Sequence, residues 1–323
     1  MDPFKVLNLI PNPDGSFTRP PIFPYAPPTG YTDSTPPQNV ATIDVPLNSM
    51  KNTWIRIFHP LNLPSVSTKL PVILYFPGSG FVMDTARILP LNEFCIQIAG
   101  ELPVVILSVQ YRLAPENRLP SAYEDAVDAM LWLKQQALHG EHKFIDSADF
   151  TKCYIMGSSS GGNMAYQAGL RALNLDLEPV RINGLIMNQP FFGGVERTGS
   201  EMKYENDKVL PLLATDSMWE LSLPIGADRD HEYCSPMVQV WDLVQIQKLP
   251  KCYVNGHGGD LLVDRQKEFV KMLEGQGVSV IAHFFDDGCH AVELFDQEKA
   301  QALYMDLKEF IYSSTTGDGA HGS

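Results

Sequence analysis

Two uninterrupted apolar runs constrain this chain more than any other feature: "KLPVILYF" (Lys69–Phe76) and "LPVVILSVQY" (Leu102–Tyr111). Both are rich in Val, Ile and Leu and lack polar alternation. Such runs belong to strands covered on both faces, the usual condition of a parallel sheet. A helical pattern at Leu91–Gly100 lies between them. Further β-rich runs at 152–156, 182–187, 251–255 and 278–285 alternate with helical periodicity over 121–138, 162–173, 263–276 and 296–313. Repeated strand–helix alternation predicts an α/β fold, a mostly parallel sheet with right-handed crossovers and helices on both faces.

Three regions depart from that rhythm. "TWIRIFHP" (Thr53–Pro60) alternates with a period of two, as a half-buried strand does. Residues 11–39 are crowded with proline and turn residues, which excludes a central strand or a long helix. Residues 193–245 have helical patches but no buried strand pattern. Together residues 1–45 and 193–245 are expected to cap the C-terminal edge of the sheet, where α/β folds bind ligands. The whole chain, these segments included, reads as a single domain of 323 residues, with a small polar tail at 314–323 expected to fray.

Charge narrows the partners. With 24 basic and 38 acidic residues the net charge is −14, which disfavours nucleic acid and anionic membranes. No run approaches the ~20 apolar residues of a membrane span, and the N-terminus lacks a signal-peptide pattern. The five scattered cysteines form no close pair, so reduced thiols in a cytoplasmic protein are expected. No metal-ligand spacing and no phosphate-binding glycine loop is present, so neither metal nor cofactor is expected.

The chemistry is concentrated in "CYIMGSSSGGNMAYQAG". Gly157–Gly161 fits G-x-S-x-G between a β-rich strand and an Ala-rich helix, the setting in which that pattern presents a nucleophile. Small neighbours let a strained turn close and lift the Ser159 hydroxyl above the sheet. A serine hydroxyl needs an oriented base, and the base needs a carboxylate. In this fold the acid and then the base follow the serine along the chain.

His290 follows the last predicted strand and opens the last helical region. His283 lies inside that strand, His257 adjoins the candidate acid, His59 and His139 precede the serine, and His321 is in the tail. Asp260 follows a buried strand in "CYVNGHGGDLLVDRQ", whereas Asp264 suits a helix first turn. Asp286 and Asp287 are too near His290 in sequence to support its ring. Attack on a carbonyl creates an oxyanion, which needs fixed N–H donors. The residue after the nucleophile, Ser160, supplies one. The loop "PGSG" after the first apolar strand offers Gly78, Ser79 and Gly80. Phe81, Met218 and Trp219 are candidate pocket residues. The two arginines of "RLAPENRLP" are read as structural anchors.

These stretches, with "NPDGSFTRP", "PFFGGVERTGSE", "WELSLPIGADRDHEYCSP" and "CHAVELFDQEKA", resemble the plant carboxylesterases of the hormone-sensitive-lipase type, within the α/β-hydrolase superfamily. The resemblance covers nearly the whole chain. It implies the α/β-hydrolase fold, a Ser159–Asp260–His290 triad and hydrolysis of a small-molecule ester by a monomer or homodimer. The family's usual His-Gly-Gly-Gly loop is here Pro77-Gly78-Ser79-Gly80. If Ser79 needs a positive φ, its Cβ brings strain, and its hydroxyl would be within reach of substrate. Relatives implied by the same resemblance include enzymes acting on alkaloid or terpenoid esters, dehydratase- and cyclase-type enzymes, and a hormone receptor. The receptor type lacks the catalytic histidine.

Overall fold

Eight strands of one sheet carry the fold in the computed structural model, which describes residues 2–31, 39–63, 69–84, 86–238 and 243–313. In chain order they are β1 (Val40–Asn48), β2 (Thr53–Pro60), β3 (Leu70–Phe76), β4 (Val105–Gln110), β5 (Ala148–Ser158), β6 (Ile182–Asn188), β7 (Cys252–His257) and β8 (Val280–Phe285). Across the sheet they run β1-β2-β4-β3-β5-β6-β7-β8. From β4 to β8 every pairing is parallel, while β2 pairs antiparallel with both β1 and β4. Six helices of at least ten residues accompany it: α1 (Leu89–Glu101), α2 (Ser121–His139), α3 (Ser160–Ala172), α4 (Leu212–Ser222), α5 (Val263–Gly275) and α6 (Gln297–Tyr312).

The two apolar runs that predicted the sheet are β3 and β4, and every residue of β3 is buried. Alternate side chains of a strand face opposite sides. Accordingly Val72, Leu74 and Phe76 enter one core, with α2 and α3, and Ile73 and Tyr75 enter another, with α1 and α6. Both faces are therefore covered, as continuous apolar strands require.

Three expectations change. Residues 40–45 belong to β1, an edge strand of the main sheet, and not to a cap; its Pro46 is tolerated because an edge strand has one unpaired side. The alternating β2 is almost wholly buried, because the Arg56 guanidinium is taken by Asp44, Asn92 and the Ala26 carbonyl. The run at 278–285 forms a half-buried edge, β8, where strand covering ends.

Two segments lie over the C-terminal ends of the strands. The N-terminal one has a short helix (Pro3–Val6) and a hairpin of Ile10–Pro11 with Phe17–Thr18, followed by Arg19. That guanidinium donates to the carbonyls of Val82 at 2.6 Å and Ala114 at 2.8 Å and pairs with Glu116. The second, within 193–245, contains α4, two shorter helices and no strand among the described residues. Arg118 donates to the carbonyls of Glu220 and Leu223, both at 2.7 Å, satisfying the C-terminal end of α4. Arg112 pairs with buried Asp125, so both arginines of "RLAPENRLP" anchor structure. Leu7, Leu9, Ala214 and Leu221 share a small apolar cluster that joins the two segments. Residues 32–38 of the proline-rich segment, 239–242 of the insertion and the tail from 314, with His321, lie outside the described residues.

The insertion is tied to α5 by a buried ion pair, Arg265 Nε to Glu201 Oε1 at 3.1 Å, with side-chain exposures of 8% and 3%. Removing one partner leaves the other charge buried with too little compensation. Glu201→Ala is therefore expected to lower stability by about 3 kcal/mol, read as a lower urea midpoint at unchanged slope. Glu268, which also touches Arg265 but from a half-exposed position, provides the control. Its replacement by Ala should change stability by less than about 0.5 kcal/mol.

Candidate active site

The turn from β5 into α3 holds Ser159 at φ 53°, ψ −121°. A non-glycine residue in such a conformation costs about 1–3 kcal/mol and persists only when its surroundings fix it. Here they do. Ser159 N–H donates to the Asn188 carbonyl at 2.9 Å, and the Ser159 carbonyl accepts from Gly162 and Phe191. The flanking glycines are required by contact: a Cβ on Gly157 would lie 1.8 Å from the Gly161 oxygen, and one on Gly161 would lie 1.8 Å from the Phe76 oxygen.

His290 reaches this serine from the loop after β8. Its Nε2 lies 2.9 Å from Ser159 Oγ and its Nδ1 lies 2.8 Å from Asp260 Oδ2. Asp260 sits in the turn after β7, 1% exposed, and accepts from Leu262 N–H at 2.9 Å and from Gln266 Nε2 at 3.1 Å. Three parallel strands, β5, β7 and β8, thus deliver three side chains to one edge. Burial of His290 by itself lowers the imidazole pKa, but the Asp260 carboxylate, aided by Glu293 and Asp207, outweighs it and leaves the pKa raised.

The rival residues are occupied elsewhere. His283 pairs with Asp306, His257 bonds the Asp287 carbonyl and stacks on Phe285, and His59 bonds Ser147 on the opposite half of the sheet. His139 ends α2. Asp264 accepts from Ser200 N–H at 2.8 Å and so fastens the insertion, and Asp287 pairs with Lys299.

Two features of the loop after β3 bear on its serine. Positive φ falls on Gly80 (56°) and Phe81 (64°), not on Ser79. The Ser79 hydroxyl is engaged by Tyr111 Oη at 2.6 Å, and Tyr111 donates onward to the Pro77 carbonyl at 2.8 Å. Ser79 N–H donates to Ser160 Oγ at 2.8 Å. The backbone N–H groups of Gly80 and Ser160 donate to no protein acceptor among the described residues. Gly78 packs so close to the nucleophile turn that a Cβ there would lie 3.0 Å from Ser159 Cβ.

A cavity of ≈ 400 Å³ opens over Ser159 and His290. Its apolar walls come from Ile22 and Phe23 of the N-terminal segment, Leu210 and Met218 of the insertion, and Leu91 and Leu294. Met218 faces it as expected. Phe81 and Trp219 do not. The positive φ of Phe81 aims its ring into the core, and Trp219, one residue on from Met218 along α4, stacks on Phe191 at 4.6 Å. Sequence reading missed Ile22, Phe23 and Leu210, whose place depends on how the capping segments fold. It also missed Glu293, Asn188 and Gln189, buried polar residues around the site; a lone acid in the apolar "HAVELF" was their one signal.

Among the described residues no group of three His, Cys, Asp or Glu is arranged to hold a metal ion, and no helix is long and apolar enough to cross a membrane. The five cysteines are free, four of them buried.

The α/β-hydrolase fold family matches residues 73–294. A probable carboxylesterase of Arabidopsis thaliana, number 8 in its series, is 48% identical over the whole of this chain and 97% of its own length. A 3-O-acetylpapaveroxine carboxylesterase of Papaver somniferum is 44% identical, covering 96% of this chain and 99% of its own. Among solved structures, an esterase of Pyrobaculum calidifontis superposes with a TM-score of 0.70 at 23% identity, over 85% of this chain and 84% of its own, a likeness of fold. Strand order, the strained Ser159 turn and the relatives agree, and the chain belongs to the plant carboxylesterases of the α/β-hydrolase superfamily.

Proposed function

We propose that the chain hydrolyses a carboxylic ester of a small molecule through an acyl-enzyme formed on Ser159. The observation that carries this is the unbroken hydrogen-bond line from Ser159 Oγ through His290 to Asp260, at 2.9 and 2.8 Å, at the base of an apolar cavity. His290 Nε2 takes the serine proton as Oγ attacks the ester carbonyl, and Asp260 fixes the ring and stabilises the imidazolium. The oxyanion is received by the N–H groups of Gly80 and Ser160, with the Ser79 N–H joining when Ser160 Oγ releases it. Gly78 serves that hole by its small size. The imidazolium then protonates the leaving alcohol, and His290 activates the water that frees the acid.

Two other readings are weaker. A receptor has no use for an aligned base, and His290 is present and bonded to Ser159. A rearranging, non-hydrolytic enzyme finds no specific support in the cavity. The relative named for 3-O-acetylpapaveroxine makes an acetyl ester of a bulky alcohol a sensible early substrate.

Hydrolysis of p-nitrophenyl butyrate by the protein and by Ser159→Ala tests the core reading. The variant should fold and lose on the order of 10⁴-fold or more in kcat; equal rates would sink it. Because the base must be neutral and its pKa is raised, the acid limb of kcat/KM should lie above the ordinary imidazole value of about 6.5. A limb below that value contradicts the electrostatics. Tyr111→Phe removes the donor to Pro77 and the partner of the Ser79 hydroxyl. It should lower kcat/KM by about 10-fold through a loosened loop, with acyl-enzyme still formed.

A further inference from the structure

Glu293 is 8% exposed and lines the same cavity as Ser159 and His290, yet the mechanism above gives it no step. Its carboxylate has amide partners in place of a guanidinium or ammonium. Asn188 Nδ2 donates to Oε1 at 2.6 Å, and Gln189 Nε2 donates to Oε2 at 2.7 Å. A buried acid without a paired cation lowers stability, and such arrangements persist where function uses them.

The partners show what it joins. Asn188 Nδ2 also donates to Ser158 Oγ at 3.1 Å, and the Asn188 carbonyl accepts the Ser159 N–H at 2.9 Å. Gln189 Oε1 accepts the N–H of Ala291 at 3.0 Å, the residue immediately after the base, held in a left-handed conformation at φ 56°. Glu293 itself lies in the short turn Val292–Leu294 that follows. One carboxylate therefore ties the loop of the base to the turn of the nucleophile.

We propose that Glu293 is a positioning residue for His290, fixing its loop against the Ser159 turn and adding a second carboxylate that favours the imidazolium. The titratable groups interacting with His290 include Asp260, Glu293 and Asp207, and those interacting with Glu293 include His290, His257, Cys289 and the buried phenols of Tyr75, Tyr253 and Tyr304. Cys289, beside the base, has its thiol pushed up by burial and stays neutral. Burial raises the Glu293 carboxyl while its N–H donors and the two histidines oppose that rise. Removing its charge takes away one of the interactions that raise the His290 pKa.

The inference rests on the esterase reading for its kinetic readout. Glu293→Gln keeps the shape and removes the charge. With p-nitrophenyl butyrate it should lower kcat by about 10-fold with KM within about 2-fold, and move the acid limb of kcat/KM to lower pH. Glu293→Asp keeps the charge at shorter reach, and should lose rate while leaving the acid limb in place. Unchanged kcat in the Gln variant overturns the proposal. So does a fall in rate with an unmoved limb, which would assign Glu293 to packing alone. If the Gln variant does not fold, a wild-type rate in Glu293→Asp overturns it. Titration of the His290 ring protons by NMR reads the same charge effect without substrate. Failure of the esterase reading would thus appear as absent turnover in the unaltered protein, distinct from an unmoved His290 titration in Glu293→Gln.

Discussion

The close approach of β5, α3 and the loop after β3 is the contact on which the site depends. Gly157, Gly161 and Gly78 admit backbone where a methyl group would collide, and this forces Ser159 into its positive-φ turn. The turn stands because a hydrogen bond to the Asn188 carbonyl and others from the N–H groups of Gly162 and Phe191 hold both sides of it. Each contributes on the order of 1 kcal/mol, enough together to offset a strain of about 1–3 kcal/mol. The strand order then decides the rest. β5 lies between β3 and β6, with β7 and β8 beyond, so the loops carrying Gly80, Ser159, Asp260 and His290 open on the same edge.

The charges buried beside His290 are acidic. Asp260 and Glu293 lie there, whereas the cations lining the cavity are Arg19, committed to Glu116 and to the carbonyls of Phe17, Val82 and Ala114, and the exposed Lys208. Among the described residues no lysine or arginine bonds either carboxylate. That asymmetry suits a reaction in which the positive charge appears on the base, while the negative charge appears on a substrate oxyanion held by a separate set of backbone N–H dipoles.

Much of this was legible in the sequence, because its signals are local. Continuous apolar runs gave β3 to β7, and G-x-S-x-G between strand and helix gave Ser159. Chain order gave Asp260 and His290, which the fold brings together. What stayed hidden depends on long-range packing. Residues 40–45 read with the proline-rich segment before them, and they stand as a strand only once β2 pairs alongside and Arg56 lies opposite Asp44. Met218 and Trp219 are adjacent in sequence, and which of them faces the cavity is set by the rotation of α4. Asn188 and Gln189 look like ordinary strand-end residues until Glu293, more than a hundred positions on, is laid against them.

In the loop "PGSG" the sequence leaves open where strain falls. A serine in place of glycine is strained only if Ser79 needs a positive φ. The chain instead passes that conformation to Gly80, which tolerates it, and to Phe81. Phe81 can bear it because its ring is 1% exposed and packs against Trp219 and Tyr123, at 5.7 and 6.1 Å. Burying a phenylalanine is worth about 1.5–3 kcal/mol, comparable to the strain of a bulky residue at positive φ. Ser79 is left free to use its hydroxyl on Tyr111, so the substitution adds a tether to the loop where glycine would have left none. The altered loop is thus a braced version of the family's, and its bracing runs through Tyr111 at the end of the neighbouring strand.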